Sequence, residues 1–349
     1  MVVRSAHREL ISTIKKIIIS LVLLLSFTGV ALAQQDEDKD IRYPTLQPEA
    51  RGEKPTYEIK KGKFSFTVSL LEGYDNNVRL NSARLDDTFS EQDLYLSYEH
   101  PLADKLTFFI TNAFSNITYC RFSDASLLSN DLRAGLDVDF SETSRLRIDY
   151  DFEALRYYQM GDSDYLSHIP RIEFKHYSAK NFYQLIGYKY MDRGFLKGKI
   201  RDSAGQLLRE KRRDKRHTGI FEIGYFLPKS LLRLKNEYYA NDSNDQFLNF
   251  YDYWADLLSL SIVHLFSKRL SGFLSVGHEW RKYDDRAMIT EHPFTTQADK
   301  MLIGYASASY DITKAISLNV EYAYREKKSN DSNYKYSGSI MSAALNFTF

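Results

Sequence analysis

From Lys63 onward apolar residues recur at every second position in short segments, and polar connections separate those segments. A period of two places one side-chain set on each face of a strand. The pattern predicts strands over 63–74, 93–100, 105–116, 131–140, 145–155, 165–177 and 182–193, then 218–227, 231–240, 253–266, 270–282, 301–312, 316–325 and 334–349. The last segment is the clearest. Met341, Ala343, Leu345 and Phe347 share one face, while Ser342, Asn346 and Thr348 fall between them, and an aromatic residue, Phe349, follows. Taken alone, this segment also fits an edge strand of a soluble sandwich. The connections separate the two readings, because they sort by length. Those at 101–104, 141–144, 178–181, 228–230, 267–269 and 313–315 are tight, whereas 75–92, 117–130, 197–217 and 283–300 are long and rich in Asp, Asn and Lys. A soluble sandwich has no reason to segregate its loops in this way, and a membrane barrel does.

The two faces of the middle strands differ sharply. In 131–140, Leu132, Ala134, Leu136, Val138 and Phe140 oppose Arg133, Gly135, Asp137 and Asp139. In 145–155, Leu146, Ile148, Tyr150 and Phe152 oppose Arg145, Arg147, Asp149, Asp151 and Glu153. In lipid the charged set must point into the lumen, since Arg or Lys facing the bilayer midplane costs about 2–4 kcal/mol. A turn centred on Glu142 sets Asp139 opposite Arg145, Asp137 opposite Arg147 and Arg133 opposite Asp151. A two-residue slip would bring Asp137 against Asp149, where like charges repel. Arg171, Glu173 and Lys175 continue the charged arc, as do Glu222, Arg233, Lys235 and Glu237. Strand 182–193 is ambiguous, with Lys189 and Arg193 on one face and Gln184 on the other. The remaining strands present mainly small polar residues inward, such as Thr107, Thr111, Ser307, Ser309, Ser317 and Asn319. The expected lumen thus has a charged wall of mixed sign facing a mostly neutral one. Such a wall is either a hydrated channel lining or a salt-bridge ladder that stiffens the barrel, and its near balance of signs predicts weak ion selectivity.

The amino end adds a destination. Arg4, His7, Arg8, Lys15 and Lys16 precede an apolar run over 17–30 and a small-x-small site at Ala31, Leu32 and Ala33. That order predicts a secretory signal peptide over 1–33, cleaved near Gln34. The run of about 14 residues is short for a spanning helix, which needs about 20. The residue directly after the cleavage site is Gln34 rather than Cys, which argues against lipid anchoring. Residues 34–62 are polar, contain Pro44, Pro48 and Pro55, and read as a periplasmic leader or partial plug ahead of a barrel over 63–349. After Ala33 no 18-residue apolar run exists, so a membrane-spanning chain has to be a closed barrel. The fold class is therefore all-β: a single transmembrane antiparallel up-and-down barrel of about 14 strands, with roughly 12–16 compatible with the boundaries. A composition of 26 Tyr, 22 Phe, 7 Pro and one Cys fits that class, and the net charge of +1 identifies no partner. Cys120 has no second cysteine to pair with.

Several motifs lie outside the wall. The segment 197–217 holds Lys197, Lys199, Arg201, Arg209, Lys211, Arg212, Arg213, Lys215 and Arg216 against Asp202, Glu210 and Asp214. As an extracellular loop it suits the phosphates of lipopolysaccharide or an anionic substrate at the mouth, or it is simply a solvated loop. Two Asn/Asp tips, 241–245 and 330–333, offer oxygens but lack the closing acid and glycine of a calcium loop, so turn chemistry explains them. Tyr157, Tyr158, Tyr188, Tyr190, Tyr238, Tyr239, Trp254, Trp280, Tyr322 and Tyr324 read as interfacial girdles. His168, His176, His264 and His278 fall on the oily faces and show no pairing with Ser or Asp, so no enzyme is expected. No cofactor or metal is expected either.

Over 63–349 the chain resembles Gram-negative outer-membrane β-barrel porins, through its alternation, its loop asymmetry and Phe349. Gly73, Tyr74, Asp75, Asn76, Asn77 and Val78, with the Asn/Asp-rich loop near Tyr251 and Tyr253, look like porins associated with extracellular-polysaccharide export. The resemblance implies an outer-membrane location with both termini periplasmic. It also implies that Phe349 is an assembly signal read by the barrel-assembly machinery. The expected function is a channel for small polar solutes or for an exported polysaccharide; a non-conducting scaffold for a periplasmic or surface partner is the alternative. Expected partners are outer-membrane lipid, lipopolysaccharide, the assembly machinery and a polysaccharide-export or periplasmic protein, with nucleic acid excluded by the route of export.

Overall fold

A computed structural model describes residues 62–288 and 295–349. The predicted signal peptide and all but Gly62 of the predicted leader lie outside the described residues. Fourteen strands follow in chain order: β1 Lys63–Asp75, β2 Asp87–Ala103, β3 Leu106–Tyr119, β4 Leu127–Ser141, β5 Ser144–Tyr157, β6 Tyr165–Ala179, β7 Phe182–Arg201, β8 Leu207–Leu227, β9 Ser230–Ser243, β10 Tyr253–Leu265, β11 Leu270–Ala287, β12 Thr296–Asp311, β13 Ile316–Ser329 and β14 Tyr336–Thr348. Each pairs antiparallel with its neighbours in sequence, and β1 pairs with β14, so the sheet closes on itself. Closure removes every strand edge, so the ladders of the wall pair backbone with backbone all the way round.

The seam runs from Thr67 opposite Thr348 to Asp75 opposite Ile340. Paired side chains support it: Thr67 and Thr348 hydroxyls lie 3.1 Å apart, and Ser69 donates to Asn346 Oδ1 at 2.5 Å. Phe349 extends the ladder, donating its N–H to the Phe66 carbonyl at 2.8 Å and stacking on the Phe66 ring with centroids 6.0 Å apart.

The period of two sorts the faces as expected. Leu132, Leu136, Ile148, Ile172, Phe174, Leu234, Leu260, Leu274, Val276 and Val320 are exposed on the outside, forming an apolar belt. Such a continuous belt is an aggregation hazard in water and the required surface in lipid. Gln184 stands on this outer face, exposed near the turn that follows β6, while Lys189 and Arg193 point inward, which settles the ambiguous strand. Pro170 on β6 has no N–H to give, and the β6–β7 ladder has a gap there, yet the register is the same on both sides of it.

Short turns lie at one end and longer connections at the other. The clearest departure from expectation is 197–217, which is largely not a loop. β7 runs on to Arg201 and β8 begins at Leu207, making a tall hairpin at the long-loop end. Its turn is compact: the Asp202 carboxylate accepts from the N–H groups of Ala204 and Gln206, each at 2.9 Å, and Gly205 supplies a φ of +83°. Apart from Phe195, Leu196 and Ile200 on β7 and Leu207 and Leu208 on β8 the extension is polar, so it carries no sustained period of two, and backbone pairing carries it as a strand. β2 likewise starts at Asp87 and β13 runs on to Ser329, beyond their alternating stretches.

Candidate functional site

The inner wall from β4 to β9 is a connected ladder of ions. The hairpin register has Asp139 opposite Arg145, Asp137 opposite Arg147 and Arg133 opposite Asp151. Arg145 Nε bonds Asp139 at 2.7 Å, and Arg147 grips Asp137 with two bonds of 2.7 and 2.8 Å. Arg133 reaches diagonally instead, taking Asp149 with two bonds of 2.9 Å, and Asp151 passes to Arg171 at 3.4 Å. The diagonal follows from strand twist and long side chains, which bring residues two positions off directly opposite into reach. The Phe109 ring lies beside this group, 5.7 Å from the Arg133 guanidinium carbon and 4.7 Å from that of Arg147. Farther round, Lys189 and Lys235 converge on Glu237 at 3.4 and 3.3 Å, and Arg193 reaches Glu153 at 3.7 Å. Lys175 sits over the Tyr183 ring at 4.6 Å, and that phenol donates to Glu222 at 2.6 Å. Glu173 stands opposite Arg147, and Arg233 opposite Gly224 and Ser261.

The opposite wall is not neutral. Glu91 and Asp93 on β2 and Glu321 on β13 face inward across the seam strands, and no basic side chain is paired with them among the described residues. Ser115 donates to Glu91 at 2.6 Å, and Asn319 donates to Glu321. Toward the long-loop end of the same wall, Arg281 pairs with Glu279 at 2.9 Å and Lys327 with Asp299 at 3.0 Å. Glu279, Arg281 and Glu321 lie within the alternating segments, at inward positions that the sequence pattern marks. Glu91, Asp299 and Lys327 lie in strand extensions that the alternation does not reach.

Near the long-loop end, cations and aromatic rings interlock over the inner wall. Arg212 pairs with Asp214 at 2.5 Å and lies 3.2 Å from the Tyr251 ring centre and 4.3 Å from that of Phe195. Arg216 donates to the Tyr253 hydroxyl at 2.6 Å, and Arg281 lies over the Tyr253 ring at 4.4 Å. Arg286 sits between Phe250, Tyr283 and Tyr334 at 3.4, 4.8 and 4.3 Å. The connection 244–252 packs onto the tall hairpin, where Asp245 takes Arg201 at 3.2 Å and Gln246 donates to the Arg201 carbonyl at 3.0 Å. Tyr239, expected in an outer girdle, instead points inward, is buried, and donates to Glu279 at 2.7 Å. Tyr157 also lies on an inward position. Tyrosine suits either place, because its ring packs against apolar groups and its hydroxyl needs a polar partner. Tyr158, Tyr188, Tyr238, Trp254, Trp280 and Tyr322 are exposed, and Tyr190 and Tyr324 are half-buried.

The basic segment is divided between two faces. Arg212 and Arg216 belong to the inner layer just described, and Arg201 to the hairpin tip. Lys199, Arg209, Lys211, Arg213 and Lys215 are exposed, and Arg213 is paired with Asp192.

Two Ser–His pairs are present, contrary to expectation: Ser144 with His176 at 2.9 Å and Ser230 with His264 at 2.7 Å. Both stand near the short-turn end, on the face that carries Leu146 and Leu232, and no carboxylate is bonded to either ring among the described residues. They therefore lack the third group that orients a nucleophile's base. Asp131, Asp151 and Glu153 bring carboxylate oxygens within 4.8 Å of one another. Oxygen ligands suit a hard divalent cation, but Arg171 and Arg193 already neutralise Asp151 and Glu153, so the trio reads as part of the ladder. In the Asn/Asp tips, Asp245 and Asp331 accept from the backbone N–H groups of Phe247 and Asn333, which is turn chemistry.

No protein-family model matches the chain, and no curated protein matches it. Among solved structures it is similar to the anion-selective porin from Comamonas acidovorans, at 9% identity over 83% of this chain and 99% of that one, with a TM-score of 0.48. It is also similar to outer-membrane-expressed OmpT of Vibrio cholerae, at 10% identity over 84% of this chain and 100% of that one, with a TM-score of 0.45. A Pseudomonas aeruginosa FadL homologue matches at 7% identity over 82% of this chain and 90% of that one, with a TM-score of 0.44. At these values the likeness is one of barrel to barrel and carries no argument about substrate or mechanism. The architecture itself, a closed antiparallel barrel of 14 strands that is apolar outside and charged inside, is that of an outer-membrane β-barrel.

Proposed function

We propose that this chain is an outer-membrane channel for the passive passage of small polar solutes. One observation carries the reading: the barrel turns an apolar belt outward and a hydrogen-bonded set of ions inward, and fourteen strands are enough to enclose a lumen. In this reading the long-loop end is extracellular, the short turns and both termini are periplasmic, and the segment 1–33 is removed on export. Ions in a wet lumen orient a passing dipole at little cost to the solute's hydration. Reconstitution into planar bilayers tests the channel, with discrete conductance steps as the expected result.

A finer version makes the solute an exported polysaccharide. The cations and rings on the inner surface of β7, β8, β10 and β11 support it, since guanidinium groups suit anionic sugars and aromatic faces suit pyranose rings. An anionic polysaccharide added on one side should then block the current, and Arg212→Gln with Arg216→Gln should weaken that block. Equal block in both proteins would remove the polymer from the reading. The interlocked layer at the long-loop end favours a second reading, a non-conducting scaffold, and a folded barrel that gives no steps would select it.

A further inference from the structure

The apolar belt is interrupted on β3 and β4. Asn112, halfway along β3, shares the outer face with Ile110 and Phe114 and stands directly opposite Leu96 and Leu132. Asn130 on β4 lies between Leu128 and Leu132 on that face, opposite Phe114 and Ala154. Each carboxamide is thus ringed by apolar side chains at the level of the belt, where lipid offers no hydrogen bond and an unmet amide is costly. The pair meets that cost only in part. Asn112 Nδ2 donates to Asn130 Oδ1 at 2.9 Å and to the Asp131 carbonyl at 3.3 Å, which uses both of its hydrogens. Among the described residues Asn130 Nδ2 donates to nothing and Asn112 Oδ1 accepts nothing. Asn236 on β9 shows the contrasting case of a satisfied outer-face amide. Its Nδ2 donates to the Asp256 carboxylate and the Leu257 carbonyl, and Asp256 stands opposite Tyr238 and Trp280, rings that belong at headgroup level. Water reaches that pair, and its carboxylate would repel a copy of itself. Carboxamides, in contrast, are complementary to themselves, because across a two-fold axis each NH2 group donates to the other's oxygen.

We propose that the outer face of β3 and β4 is a two-fold interface between two copies of this chain, in which the Asn112 and Asn130 amides exchange hydrogen bonds across the axis inside the bilayer. The proposal rests on the outer-membrane reading above and is independent of conduction. A different protein would need a matched amide at the same depth, whereas a second copy brings one by symmetry. The leucine, isoleucine and phenylalanine side chains around the amides carry no charge and pack against the same face of the partner. An isologous contact closes on itself, so the assembly stops at two.

Cys120 is the one cysteine of the chain, is exposed and follows β3 directly, so it takes a single dye per copy beside the proposed interface. Donor-labelled and acceptor-labelled full chains are inserted into neutral lipid vesicles, and energy transfer is read as the ratio of lipid to protein rises. The expected result is transfer that persists on dilution and grows linearly with the acceptor fraction, as a dimer requires. N112L/N130L should weaken association at least roughly tenfold without lowering the thermal midpoint of the barrel, since replacing both partners of a hydrogen bond by apolar groups is close to neutral for the fold. N236L should associate as the wild type does. Should N112L/N130L fail to fold, L132C in a C120S background decides the matter, because a short bifunctional maleimide should link it into a dimer and should not link L260C on β10. Transfer lost on dilution, a curved dependence that marks more than two copies, undiminished association in N112L/N130L or equal linking of L132C and L260C would each overturn the proposal. Association seen only after removal of 34–62 would also overturn it, by assigning the face to the chain's own segment. A chain that does not enter bilayers at all would instead overturn the membrane reading beneath it.

Discussion

Asp149 holds Arg133 through two bonds of 2.9 Å and has Arg171 at 3.8 Å, and its side chain is fully screened from solvent. Removing its charge leaves the buried Arg133 without that carboxylate, a loss on the order of 3 kcal/mol. Asp139 pairs with Arg145 in the open, where such a pair contributes less than about 1 kcal/mol. Urea unfolding in micelles should therefore show Asp149→Asn strongly destabilised and Asp139→Asn nearly unchanged. Gly135 makes a second test at this scale. A Cβ there would lie 2.6 Å from the Ile148 carbonyl oxygen and 2.8 Å from the Phe109 ring, and backbone does not yield as a side-chain tip does. Gly135→Val should lower the unfolding midpoint and disturb the Arg133–Asp149 pairing on Phe109. The hairpin register is legible in the sequence because it sets three opposite-sign pairs across β4 and β5, whereas the slip that brings Asp137 against Asp149 opposes like charges. The diagonal bond from Arg133 to Asp149 is not, since it depends on twist.

At the scale of elements, the apolar stretches of all fourteen strands are readable from alternation, but their polar extensions are not. β7 beyond Arg193 and β8 before Thr218 keep no sustained alternation of apolar and polar residues, and the Asp202–Gly205 turn is what marks a hairpin there. The connection 244–252 that packs on this hairpin carries its own pH dependence. Burial pushes the Asp252 carboxyl up to about 6, helped by the nearby Asp242, Asp284 and Asp214, against the Ser243 N–H that donates to it at 2.7 Å. A folded-state value above the unfolded one means that the protonated form is favoured by folding. The stability it brings is complete below about 4 and is lost as pH rises through about 6. Hydrogen exchange across 244–252, corrected for intrinsic rates, should reveal looser packing at about pH 7 than at about pH 4.5, and Asp252→Asn should flatten that difference.

The whole molecule differs from the two-walled lumen expected of its sequence. Glu91, Asp93 and Glu321 put acid with no basic partner among the described residues on the wall read as neutral, while the opposite wall balances its own ions. The lumen should therefore prefer cations, and E91Q/D93N/E321Q should move the reversal potential in a salt gradient toward zero. Glu91 is hidden in the sequence because the alternation of β2 begins only at Asp93, whereas Asp93 and Glu321 lie at inward positions that the alternation marks, Glu321 among uncharged neighbours on the same face, Asn319 and Ser317. The most direct test of the central claim is single-channel recording in planar bilayers with the full chain and with a form lacking 34–62. Discrete steps with a cation preference are the predicted result. A folded barrel that yields no steps in either form would contradict it.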